Sequence, residues 1–65
     1  MENPISLWIR HWTKGEQCDE HWNDTLASAR EIVTRWVDDG MVDRVEIRDD
    51  NEKLLFHYPR EMHGA

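Results

Sequence analysis

Between Thr25 and Gly40 the apolar residues return at intervals of three and four: Leu26, Ala29, Ile32, Val33, Trp36 and Val37. That spacing gathers them into one stripe of a helix, with Arg30, Glu31, Thr34, Arg35 and Asp38 mostly outside it. The whole stripe, Ile32 included, is expected to be core. Thr25 suits the N-cap, because its hydroxyl can accept a bond from a free backbone N–H of the first turn. Asp24 suits the positive end of the helix dipole. Gly40 suits the position just past the last turn, where left-handed backbone is needed and costs glycine nothing.

On either side of this segment the period is two. From Ile5 to Thr13, Ile5, Leu7, Ile9 and His11 share one face and Ser6, Trp8, Arg10 and Trp12 the other. The aliphatic set is the natural core face, which leaves Trp8 and Trp12 on the opposite side, flanking Arg10. Lys14-Gly15 reads as the end of this strand. From Val42 to Arg48, Val42, Arg44, Glu46 and Arg48 share one parity and Asp43, Val45 and Ile47 the other, with Val45 and Ile47 expected to point to the core. Asp49-Asp50-Asn51-Glu52 is turn chemistry, with Asn51 able to take positive φ. In the last strand, Leu54 to Tyr58, Leu54 and Phe56 are expected in the core and Leu55 and His57 on the open face. Pro59 ends it, since proline cannot donate to a ladder. Glu16 to Asp24 is polar apart from Cys18 and Trp22. It reads as a loop, with Trp22 tucked over the end of the core; loops of that length often carry function.

The expected architecture is therefore α+β, a single β-α-β-β domain. A three-stranded, mainly antiparallel sheet carries one helix on one face. The domain spans 1–65, with an ordered core over about 5–59 and a frayed tail at 60–65. Order 1-3-2 gives an all-antiparallel ladder with the third strand central. Order 3-2-1, with the first two strands adjacent and parallel, is the alternative. One helix covers one face of such a sheet, so the other must meet water or a partner.

At 65 residues the chain buries only about 60% of what its unfolded form exposes, so stability is marginal. Its single cysteine, Cys18, excludes an intrachain disulfide and fits a reducing compartment. No apolar run is long enough for a membrane helix, and the N-terminus lacks the basic and apolar regions of a signal peptide. A cytoplasmic protein is expected. The net charge of −6 argues against direct nucleic-acid binding, which depends on Lys and Arg neutralising phosphates. Acids are concentrated in Asp38, Asp39, Asp43, Glu46, Asp49, Asp50 and Glu52, against Arg44 and Arg48. Such a segment either keeps a small protein soluble or presents carboxylates to a basic surface.

Catalytic chemistry finds little footing. Cys18-Asp19-Glu20-His21 has a spacing a metal can use, but zinc needs three or four ligands, and His11, His57 and His63 are not paired with it by spacing. No metal or other cofactor is expected. A cysteine–histidine nucleophile would need an orienting group and an oxyanion site, and no phosphate loop or nucleophile elbow is present. The residues left over are Trp8, Arg10, Trp12, Leu55 and His57 on the open face, and the acids Asp43, Glu46, Asp49 and Asp50. Trp and Arg are frequent interface anchors, so these nine are the candidate partner-binding set.

The order strand, Thr-capped helix, strand, acidic turn, strand resembles small proteins of phages and mobile elements, including some anti-CRISPR inhibitors of type I surveillance complexes. The resemblance rests on Thr25 to Ile32 and on through Gly40, on Val45 to Asn51, and on Leu54 to Pro59, and covers most of the chain. It implies an inhibitor acting in the host cytoplasm, where it occupies protein surfaces that would bind target DNA or a nuclease. It assigns no contact residue. The function expected is thus a non-enzymatic binding protein that docks on a larger protein with a basic surface. A small assembly protein that homodimerises through its open sheet face is the alternative.

Overall fold

Five elements follow one another in the computed structural model, which describes residues 3–59: β1 (Ile5–Thr13), β2 (Glu16–Asp24), α1 (Leu26–Asp38), β3 (Arg44–Arg48) and β4 (Leu54–Tyr58). The strands form one antiparallel sheet in the order β2-β1-β3-β4. The α+β class, the single helix and the antiparallel sheet are as the sequence indicates, but the sheet has four strands and not three. The expected tail at 60–65 lies outside the described residues.

The additional strand is the segment expected to be a loop. Lys14 and Gly15 do not end β1 but turn it: both take positive φ, 54° and 86°. That is the two-residue type I′ geometry whose twist matches flanking strands. β2 then returns along all of β1, from Thr13 opposite Glu16 to Ile5 opposite Asp24. The same strand corrects the expected strand order. β1 and β3 are neighbours, as in order 3-2-1, but antiparallel, because the chain has already doubled back along β2 before entering the helix. β2 and β3 run parallel to each other, with β1 between them.

The core lies between the central strands and the helix. Leu7 and Ile9 of β1, Val45 and Ile47 of β3, and Ala29 and Val33 of α1 are each no more than 1% exposed. Each large aliphatic side chain so buried contributes about 1.5–3 kcal/mol. Thr25 caps the helix as anticipated, its hydroxyl accepting from the Ser28 N–H at 3.1 Å. At the other end the Gly40 N–H donates to the Val37 carbonyl and the Met41 N–H to that of Trp36, with Gly40 at φ 79°. This is a Schellman closure, and it requires the left-handed residue at that position.

Three finer expectations are corrected. Ile32 is 39% exposed, at the margin of the stripe, which is centred on Ala29 and Val33. In β4 a bulge follows the pairing of Ile47 with Phe56, so that Arg48 faces Leu54. A bulge breaks the alternation. Leu55 therefore packs against the core, and Leu54 is left 42% exposed. In the β3–β4 turn positive φ falls at Glu52, 66°, and not at Asn51. The Asp49 N–H donates to the Lys53 carbonyl, which closes a three-residue loop whose last residue must be left-handed.

Candidate partner-binding face

The sheet face away from the helix is assembled by register. Trp8, Arg10 and Trp12 of β1 stand opposite Arg48, Glu46 and Arg44 of β3, and on the other flank opposite His21, Asp19 and Gln17 of β2. His57 of β4 stands beyond Glu46. Trp8, Arg10, Trp12, Glu46 and His57 thus meet on one surface as expected, whereas Leu55 turns to the other side. Ser6, Arg44 and Arg48 lie on the same surface, as their strand parity indicates. Asp19 and His21 belong to it as well and were not placed there from sequence; their signal was the register of β2, which only the pairing of the strands supplies.

This surface is not an apolar patch. The Arg44 guanidinium sits 3.7 Å from the centre of the Trp12 ring. Arg10 places its Nε and one terminal nitrogen on the two oxygens of Asp19, at 3.0 and 3.3 Å. That pair holds the Asp19 carboxyl below the usual carboxylate range. Glu46 accepts two bonds from Arg48, at 3.1 and 2.8 Å, and lies 3.8 Å from Arg44.

The β3–β4 turn folds over one end of the face. One Asp50 oxygen accepts from the Ser6 hydroxyl at 2.7 Å and from the Trp8 indole N–H at 3.2 Å. The Ser6 oxygen also lies 2.6 Å from His21 Nε2, and the His21 ring lies 4.8 Å from Trp8. A cleft of about 290 Å³ opens here, lined by Trp8, Arg10, Asp19, Arg48, Asp49, Asp50 and Glu52. Trp8 itself is 42% exposed.

Serine, histidine and aspartate meet in this corner in an order unsuited to nucleophilic catalysis. The hydroxyl proton of Ser6 is directed to Asp50, so Nε2 of His21 must donate to Ser6. A nucleophile needs the reverse, with the carboxylate orienting the histidine. The Cys18/His21 spacing fails for a simpler reason. On a strand, residues three apart point to opposite faces. Among the described residues no group of three or more His, Cys, Asp or Glu is arranged to hold a metal ion. No helix in these residues is long and apolar enough to cross a membrane.

The acids do not form one surface. Asp43 accepts from the Lys14 N–H at 2.7 Å and ties the first hairpin to the start of β3. Asp49 accepts from the N–H groups of Asn51 and Lys53 inside its own turn. Asp38 accepts from the Tyr58 hydroxyl at 2.8 Å, which pushes the phenol up. With Glu46 on its arginines and Asp50 on Ser6 and Trp8, five of the seven acids of the segment already have partners within the chain.

On the helix side, Glu20 is held below the usual carboxylate range, first by the Trp22 indole N–H and then by His11. The Trp22 ring meets Trp36 edge-on at 5.6 Å, so Trp22 closes the end of the core as expected. A broader, open trough of about 840 Å³ runs between α1 and β4, with Arg30 over the Phe56 ring. Arg30, Arg35, Glu31 and Asp38 line it with both signs of charge, which favours no one class of partner.

No protein-family model, curated protein or solved structure matches this chain.

Proposed function

We propose that this chain is a non-enzymatic binding protein that docks on a larger protein through the open face of its sheet. Trp8 carries the reading. It is a large aromatic residue left 42% exposed, yet it is held in one orientation by Asp50 on one side and His21 on the other. An anchor that is already fixed loses little conformational freedom on binding, and tryptophans at the centre of interfaces are commonly worth 2 kcal/mol or more, on the order of a thirtyfold change in affinity. Around it, Asp19, Asp49, Asp50 and Glu52 line the cleft beside Trp8 against Arg10 and Arg48, and this excess of carboxylates favours a basic partner. The resemblance to small anti-CRISPR inhibitors gives such docking a purpose: to occupy a surface that a nucleic-acid-handling complex needs for DNA or a nuclease.

Self-association through the same face is less well supported, because Arg10, Arg44, Arg48, Asp19 and Glu46 already satisfy one another within the chain. The test is a paired capture from a lysate of the source organism, with the parent and Trp8→Ala as baits. A basic protein retained by the parent and lost with the variant is the expected result. Equal retention by both baits removes the open face from the interaction.

A further inference from the structure

We infer that the outer edge of β2 is a second contact element, which takes an extended basic segment of the partner as an added strand. The inference rests on the reading of the chain as a binding protein for a basic partner and names how part of that contact is made. In the β1–β2 pair the residues flanking the turn, Thr13 and Glu16, bond to each other, so inward and outward bonding alternate from there. Gln17, Asp19, His21 and Asn23 therefore turn their N–H and C=O groups outward, and no described strand meets them. Such an edge is a template for another chain.

The two edges of the sheet differ in how they are guarded. β4 is five residues long, carries a bulge and is followed by Pro59. β2 is nine residues long, is paired without interruption, and contains neither proline nor lysine. Its side chains select the occupant. Glu16, Asp19, Glu20 and Asp24 lie on it with no Lys or Arg; Asp19 meets Arg10, Glu20 meets Trp22 and His11, and Asp24 accepts from the Thr25 N–H, but Asp19 alone of the four meets an arginine of the chain. A second copy is a poor occupant, because centred antiparallel pairing would set Glu20 against Glu20 and Glu16 against Asp24. Like charges directly opposite are destabilising. A strand with Lys or Arg at alternate positions meets acids on the edge while its backbone completes the ladder, the recognition mode of β-strand addition.

The probe is an acetylated, amidated heptapeptide alternating lysine and valine, added to the whole protein while amide hydrogen exchange is followed. Exchange at Gln17, Asp19, His21 and Asn23 should slow by about tenfold or more, as expected when a new ladder bond forms at each. Cys18 and Glu20, already bonded to β1, serve as internal references. Gln17→Pro removes one outward donor at a position an edge strand tolerates, and should weaken the peptide by about threefold to tenfold. N-methylation of the peptide's alternate residues should abolish binding in one of its two patterns, and a glutamate–valine peptide should not bind.

Absence of slowing at the four amides overturns the inference, as does equal binding of both N-methylated peptides. Dimerisation in sedimentation that Gln17→Pro abolishes would make the occupant a second copy and overturn it too. The wider reading is judged separately by Trp8→Ala capture: a basic partner lost with that variant, but indifferent to Gln17→Pro, leaves the docking protein standing and removes the strand addition.

Discussion

On one side of the sheet Leu7, Ile9, Val45 and Ile47 meet Ala29 and Val33 with almost no exposure; on the other, the alternate residues of the same two strands hold Trp8, Arg10, Trp12, Arg44, Glu46 and Arg48 against water. The first surface is joined by apolar burial, which is non-directional and sensitive to volume. The second is joined by directional pairs: arginine on tryptophan, arginine on carboxylate, indole N–H on aspartate. A sheet with one helix therefore need not bury its second face to be satisfied. Charged side chains lying over Trp12 and bonded across Glu46 do for the open face part of what a second helix would do.

The contrast is broken most sharply in the helix. Val33→Asp would place an unpaired carboxylate in the sealed surface, at a cost of several kcal/mol, on the order of the whole stability of so small a domain. Circular dichroism should show the cooperative thermal transition lost. Ile32→Asp, one residue away but at the margin, should stay folded at a cost of about 1 kcal/mol. If the two variants behave alike, the helix is rotated from the orientation described.

Trp8→Ser combined with Trp12→Ser tests the open side. The pair should cost about 2 kcal/mol in lost contact and cation–π attraction, lowering the melting temperature by about 10 °C with the fold retained. Complete unfolding would mean that this face contributes as a core does.

Glu52→Gly addresses the turn that brings Asp50 onto Trp8. A non-glycine residue in left-handed backbone costs about 1 kcal/mol, so the variant should gain about 0.5–1 kcal/mol in chemical denaturation. No gain would show that the side chain of Glu52 compensates for its backbone.

The smallest effect concerns acid. Because Asp19 has a lowered folded pKa, its contribution is fully present above the unfolded carboxylate value and fades as pH falls through the window below about 3.9. The pair with Arg10 is exposed, so only a few tenths of a kcal/mol are at stake. Asp19→Asn should flatten the acid limb of the stability curve by that amount, and an unchanged limb would leave Glu20, whose shift has the same sign, as its source.

The helix, both its caps and the facing of β1 and β3 were legible because each rests on a local rule: period, hydroxyl cap, left-handed glycine, alternation. β2 was not, because an edge strand with polar residues on both faces has no period to read. Its one local sign was Lys14-Gly15, a two-residue turn that also passes for a strand end. Leu54 and Leu55 exchanged places because a bulge shifts the alternation by one residue without marking the sequence. Trp8, Arg10, Trp12, Glu46 and His57 could be placed on one surface from strand parity alone. Asp19 and His21 could not, since their nearness to Trp8 depends on the strand that was not foreseen.

Sheet order also sets a timetable for folding. Each hairpin closes over a short loop and can form in about 1–10 μs. Joining β1 to β3 is a different matter: Trp12 must find Arg44, and Trp8 Arg48, with β2 and the whole helix in the intervening chain. The entropy of that closure falls due before Leu7 and Ile9 can meet Val45 and Ile47, so the central pair is expected to be the slow step. Truncating Ile9 or Ile47 should then slow refolding, whereas truncations along β2 should act mainly by hastening unfolding.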